Sequence, residues 1–121
     1  MMGDRQATGQ AGEELAARWL RQEGCRILCR NYRCAAGEID LVAEEAGELV
    51  FVEVRTRRGG ALVSPEESMD RRKQQRVIRA AEHYLTATDG HDRPWRVDLV
   101  AIEVEPGGRV RRIDHLRSVV E

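Results

Sequence analysis

The chain has 121 residues, of which 41% are hydrophobic and 34% charged, and its formal net charge is −1. That length suits one globular domain over residues 1–121, and with only 4% aromatic residues the core must rest on Val, Leu, Ile and Ala. No apolar run reaches the ~18 residues of a membrane span, and "MMGDRQATGQ" lacks a signal-peptide core, so a cytoplasmic protein with no membrane partner is expected.

In chain order, residues 8 to 23 read as an amphipathic helix with Ala11, Leu15, Ala16, Trp19 and Leu20 on one face and Gly24 as its C-terminal stop. Glu14 falls nearly opposite that face, whereas Glu13 borders it. "CRILCRNYR" reads as a strand, with Cys25, Ile27 and Cys29 on one side. These cysteines and Cys34 are expected to be free thiols, because no paired spacing suggests zinc. "GEIDLVA" and "LVFVEVRT" read as strands separated by the turn-rich "EEAGE". A loop, "RRGGALVSPEES", leads to a second helix ending near Thr86. Ser64, Pro65 and Glu67 fit a capping box at its start, with Ser68 or Asp70 as other possible caps. Its buried stripe is expected at Val77, Ala80, Ala81, Tyr84 and Leu85. Lys73 extends that stripe, and Arg72, Arg76 and Arg79 share another face. "WRVDLVAIEVE" and "RVRRIDHL" complete the pattern as two strands joined through "PGG". The order αβββαββ implies an α/β domain, a central mixed β-sheet flanked by α-helices.

Centring the hairpin on Ala46 and Gly47 places Asp40 directly opposite Glu53 and Glu38 opposite Arg55. Ile39, Leu41, Val50, Val52 and Val54 then form one face, and Glu38, Asp40, Val42, Phe51, Glu53 and Arg55 the other. A slip of one residue would mix the two sets, so the pattern selects this register. Like charges directly opposed are destabilising. A hard divalent cation held between the carboxylates would offset the repulsion, and so would a solvated network with Arg55. The charge distribution adds a second clue. From Arg55 to Arg79 eight Arg or Lys face three acids, a local +5 in a chain whose remainder carries −6. Such a segment can attract a polyanion.

"GQAGEELAARWLRQEGCRILCRNYR", "GEIDLVAEEAGELVFVEVRTR", "KQQRVIRAAEHYL" and "WRVDLVAI" closely resemble blocks of the YraN family of small bacterial proteins, over about residues 8 to 104. That family is similar to the restriction-endonuclease-like superfamily of PD-(D/E)xK nucleases, and within it to archaeal Holliday-junction resolvases. The resemblance implies a restriction-endonuclease-like fold and a Mg²⁺-dependent endonuclease acting on structured or branched DNA, with Mn²⁺ as an alternative ion. It implies metal binding by Asp40, Glu53 and the Val54 carbonyl, with Glu13 completing the site. The "RTRRGG" loop, with Arg57 and Arg58, and Arg72, Arg76 and Arg79 would hold the nucleic acid. Two-fold symmetric junctions imply a homodimer, for which "GGALV" and "LRSVV" are candidate contacts. One departure stands out. The family motif ends in Lys, and here Arg55 follows Glu53-Val54. Arginine stays protonated and cannot act as a base, although it can stabilise charge. Lys73 is the candidate substitute among the catalytic residues. The alternative function is a nucleic-acid-binding module with this fold and little cleavage.

Overall fold

The computed structural model describes residues 2–58 and 69–120, with side chains from Gln10 onward. Helix α1 (Met2–Gln22) leads into strands β1 (Arg26–Cys34), β2 (Gly37–Glu45) and β3 (Glu48–Arg58); helix α2 (Arg71–Ala87) and strands β4 (Trp95–Val104) and β5 (Val110–Leu116) follow. The strands form one sheet in the order β1-β2-β3-β4-β5. All pairs are antiparallel except β3–β4, which is parallel and needs the crossover that α2 supplies. This is the αβββαββ mixed sheet between helices that the restriction-endonuclease-like reading implied.

Each boundary has a local cause. Helix α1 stops at Gly24, whose φ of 96° is open to glycine. There Gly24 N–H donates to the Arg21 carbonyl and Cys25 N–H to the Leu20 carbonyl, a Schellman pair. Helix α2 starts after Asp70, whose carboxylate accepts the Lys73 N–H at 3.0 Å. Asp70 is therefore the cap; the proposed box at Ser64, Pro65 and Glu67 lies outside the described residues, as does "GGALV". The β2–β3 turn uses Ala46 (φ 50°) and Gly47 (φ 86°), the left-handed pair that a two-residue hairpin requires.

Helices cover both sheet faces, so the hairpin face that carries Val42 and Phe51 is a core face, and only its end at Glu38 is exposed. Leu41, Ala43, Val50, Val52, Val100 and Ile102 pack under Ala16, Ala17 and Leu20 of α1. Val42, Phe51, Val97 and Leu99 pack under Val77, Ala80, Ala81 and Leu85 of α2. Burying both faces explains why the strands read as nearly continuous apolar runs.

Three expectations of side-chain placement need correction. Leu15, Ala16, Trp19 and Leu20 of the expected α1 face pack on the core, but Ala11 is exposed and Gly12 is buried in its place. The cause is close approach: a Cβ on Gly12 would lie 2.1 Å from Thr56 Oγ1. Cys29 does not share a side with Cys25 and Ile27, because the register shifts between Ile27 and Cys29 and sends Cys29 to the α2 side. Ile39 likewise packs on the α2 side, apart from Leu41. The three cysteines are free thiols, as expected. "LRSVV" is not an open patch, since Val119 N–H donates to the Val97 carbonyl and Val119 and Val120 pack against the α2-side core.

Candidate functional site

The hairpin has the expected register, from Glu45 opposite Glu48 to Leu41 opposite Val52. Beyond that pair the regular pairing ends. Asp40 Oδ2 accepts the Val54 N–H at 2.7 Å, a donor that a β2 carbonyl would take in a continued sheet. The strands open at the place where the next pair would have been two acids. This opening makes the site.

Asp40 and Glu53 nevertheless lie close enough for each to act on the ionisation of the other. Two neighbouring carboxyls out of full contact with water favour holding one proton between them. Burial raises the Asp40 carboxyl above its ordinary value, against the Val54 N–H and the charge of Arg55. Burial and then the Asp40 charge push Glu53 up to about 7, against the pull of Arg55. The proton of the pair therefore resides chiefly on Glu53.

Arg55 lies on the same side, its Nη1 3.1 Å from Glu53 Oε1, while its buried Nε has no hydrogen-bond partner. Glu38, Glu53, Arg55, Lys73, Arg76 and Val77 line a cleft of about 210 Å³ between the open hairpin and α2. Lys73 and Arg76, read from sequence as a stripe extension and a basic face, thus come together with Glu53 and Arg55. Arg58 does not. It lines a separate groove with Ala11, Gly12, Leu15 and Thr56 on the α1 side. Arg72 and Arg79 are exposed on α2, and Arg57 is half-buried near the end of β3. Among the described residues, none of Arg71, Arg72, Lys73, Arg76 or Arg79 enters an ion pair, whereas Arg26, Arg30 and Arg33 of β1 all do.

Glu13 reaches the rim from α1. Its carboxylate accepts from Asn31 Nδ2 at 3.2 Å. Burial raises the Glu13 carboxyl, the Asn31 hydrogen bond opposes this, and the charges of Asp40 and Glu38 add to the rise. Glu14 instead pairs with Arg30 at 2.7 Å, so the neighbouring acids are as unlike as the helical wheel implied. Asn31 escaped the sequence reading. It sits within β1 at φ 52°, a conformation that asparagine tolerates well, and its available signal was an Asn inside the strand-like "CRNYR".

Asp98 also escaped it. It is fully buried and accepts from Arg96 Nε at 3.0 Å and the Ser118 N–H at 3.0 Å, with His115 Nε2 at 2.8 Å. The Trp19 indole, which can only donate, gives its N–H to His115 Nδ1 at 3.2 Å. His115 Nε2 must then carry the proton toward Asp98. Burial alone would raise the Asp98 carboxyl, but these donors outweigh it and hold the group below its ordinary value. The network ties α1 to β4, β5 and the C-terminal segment.

The chemistry of the donor set can be tested against a cation. Two buried carboxylates, a neighbouring main-chain carbonyl at Val54 and an open cleft fit a hard ion such as Mg²⁺, which keeps several waters and takes one or two carboxylates from its protein. Among the described residues no group of three or more His, Cys, Asp or Glu could hold a metal unaided. Water or substrate oxygens would have to complete the shell.

The model of uncharacterised protein family UPF0102 matches residues 12–102. The chain belongs to that family. A UPF0102 protein of Nocardia farcinica is 47% identical over 98% of this chain and 92% of its own length. One of Roseiflexus castenholzii is 45% identical over 100% and 98%, and one of Symbiobacterium thermophilum 47% over 85% and 87%. This is the YraN-type resemblance that the four sequence blocks carried. The UPF0102 match includes Glu13, Asp40, Glu53, Arg55, Lys73 and Asp98, and ends before His115. Among solved structures, SfsA of Pyrococcus furiosus in complex with Ca²⁺ aligns with 97% of this chain and 65% of that one, at 17% identity and a TM-score of 0.43. In the UPF0102 chain, no helix among the described residues is long and apolar enough to cross a membrane.

Proposed function

We propose that this protein is a Mg²⁺-dependent endonuclease that hydrolyses phosphodiester bonds of structured or branched DNA. The observation that carries the reading is the half-buried Asp40–Glu53 pair, of which Glu53 lines a cleft with Arg55, Lys73 and Arg76. A surface charge network has no need to bury two acids against each other at the end of an otherwise apolar hairpin. A site that must hold a divalent cation beside a phosphate does.

Asp40 and Glu53 would hold the ion, with the Val54 carbonyl as a further ligand, and Mn²⁺ would serve in its place. Once bound, the ion supplies charge neutralisation at the phosphoryl group and activation of water. The Asp40–Val54 hydrogen bond fixes both ligating strands relative to one another. Glu13, held by Asn31, shapes the side of the site nearest α1. Arg55 donates to phosphate oxygens and stabilises charge that grows in the transition state, but it takes no proton. Lys73, in the same cleft, orients the attacking water. The unpaired cations of α2 grip the backbone and make affinity fall steeply with salt. A homodimer would present two such sites to a two-fold symmetric junction.

A second reading is favoured by the Arg55–Glu53 ion pair, which occupies a ligand oxygen and stands where the motif has lysine. In it the same fold binds DNA and cuts little. Cleavage of labelled four-way junction and linear duplex, with Mg²⁺ or Mn²⁺, separates the two. The nuclease reading expects cutting that Asp40→Asn and Glu53→Gln abolish and Arg55→Lys accelerates. Salt-sensitive junction binding with no cutting by any variant would favour the binding module, and neither binding nor cutting would reject both.

A further inference from the structure

Beside the cleft, a second open groove of about 520 Å³ runs along α2, lined by Ala36, Arg79, Glu82, His83, Thr86 and Ala87. We propose that it receives an unpaired nucleotide base of the DNA strand whose backbone lies in the cleft. This inference rests on the nucleic-acid reading above and adds to it a structural reason for preferring unpaired over paired DNA.

Three features support this occupant. The groove is continuous with the basic face: Arg76 lines the cleft, and Arg79 lines the groove one helical turn further on. Arg76 and His83 are seven residues apart, about 10 Å along the axis and so about three rises of a stacked strand at ~3.4 Å. A strand held at the cleft therefore has a base within reach of the groove. The lining, second, combines the small apolar side chains of Ala36 and Ala87 with a flat ring at His83, which suits a base face, since stacking tolerates any base. The ring, third, is already set. His83 Nδ1 lies 2.5 Å from the Tyr32 hydroxyl, and the two rings stand 5.9 Å apart at 49°. Tyr32 is itself braced edge-on by Tyr84 at 5.1 Å and Tyr84 by Phe51 at 5.6 Å. The stacking platform is thus anchored to the core rather than left to swing.

Polar groups complete the fit. Arg79 can meet the phosphate attached to the inserted base, and the Glu82 carboxylate can accept from an exocyclic amino group, which thymine lacks. The Thr86 hydroxyl is already committed, donating to the Glu82 carbonyl at 3.0 Å. A fully paired duplex keeps its bases stacked inside and has none to offer here. Junctions, bulges and flaps do.

The test compares binding, by fluorescence anisotropy in EDTA, of a fully paired duplex and the same duplex carrying one unpaired 2-aminopurine. Wild type should bind the bulged DNA about tenfold more tightly, with a change in 2-aminopurine emission as the base stacks. His83→Ala should lose most of that ratio, its affinity for the bulge falling further than its affinity for the duplex. His83→Phe, which keeps a ring but not the bond to Tyr32, should retain the ratio. Equal affinities in wild type, or a ratio that His83→Ala leaves unchanged, would overturn the inference while leaving the nucleic-acid reading in place. Loss of the ratio in both His83 variants would make the residue a structural strut and would also overturn it. Binding of neither DNA would defeat the nucleic-acid reading itself.

Discussion

Glu53→Gln should stabilise the fold at alkaline pH, although it removes the residue on which the proposed activity depends. The folded protein holds the Glu53 proton up to about 7, against an ordinary value of 4.5, because burial and the Asp40 charge oppose ionisation. Between those values the native state binds more protons than the unfolded chain, so stability falls as pH rises, and the loss levels off above the folded value. One pKa unit corresponds to ~1.4 kcal/mol, so ionising Glu53 in place costs roughly 3 kcal/mol at pH 8 and less than about 1 kcal/mol at pH 5. Gln is nearly isosteric and never ionises. The variant should therefore gain roughly 2–3 kcal/mol relative to wild type between pH 5 and pH 8. Urea unfolding followed by circular dichroism at both pH values, without divalent ions, measures the difference. Parallel pH profiles for the two proteins would refute the claim that the pair is buried and shares a proton. A saturating cation should reverse the sign in wild type alone, because it binds the folded site and not the variant.

Elsewhere, Asp98→Ala leaves His115 Nε2, the Ser118 N–H and Arg96 Nε without their acceptor, although Arg96 keeps Glu45 and Glu48, and should cost about 3–5 kcal/mol, read as a fall in the urea midpoint at constant m-value. Because the Asp98 carboxyl lies below its ordinary value, its stabilisation should be complete above about pH 5 and fade as pH falls through the folded value in acid titration. Gly12→Ala drives a Cβ into Thr56 Oγ1 and should destabilise by about 1–2 kcal/mol, whereas in a Thr56→Ala background the same change should be neutral or stabilising through helix propensity. An equal cost in both backgrounds would disprove that contact. The Cys25 thiol, buried and pushed up to about 11 by that burial and by Glu45, should resist alkylation at pH 8 in the folded protein while Cys29 and Cys34 label, as mass spectrometry can count. Arg76→Ala and Arg79→Ala should each lower the salt slope of DNA binding by about one.

The parts of the fold legible in sequence are those governed by a strict period. The β2–β3 register followed from alternation around Ala46 and Gly47, and the α2 stripe from Val77 to Leu85 followed from helical spacing. What broke the period stayed hidden. The register shift near Leu28 and the left-handed Asn31 each move later residues to the other face, and neither residue type marks such a break uniquely. Gly12 could be recognised as a close-contact position only once Thr56 was known to lie opposite it. Asp98 sat within the apolar run "VDLVAI"; Arg96 is its neighbour on β4, but His115 comes from β5, Ser118 from the C-terminal segment, and Trp19, which holds His115, from α1. The nearness of Asp40 to Glu53 was readable, but the opening of the strands at that point was not, because it depends on the Asp40 carboxylate replacing a backbone acceptor.

Under the proposed function, Asp40 and Glu53 hold one proton between them when no cation is bound and share the cation when it is. Isothermal titration of Mn²⁺ into the protein at pH 7, in two buffers of different ionisation enthalpy, tests both halves at once. One ion per chain should bind with a fractional proton released, and both should be lost in Asp40→Asn and Glu53→Gln. Binding without proton release, or undiminished binding by those variants, would contradict it.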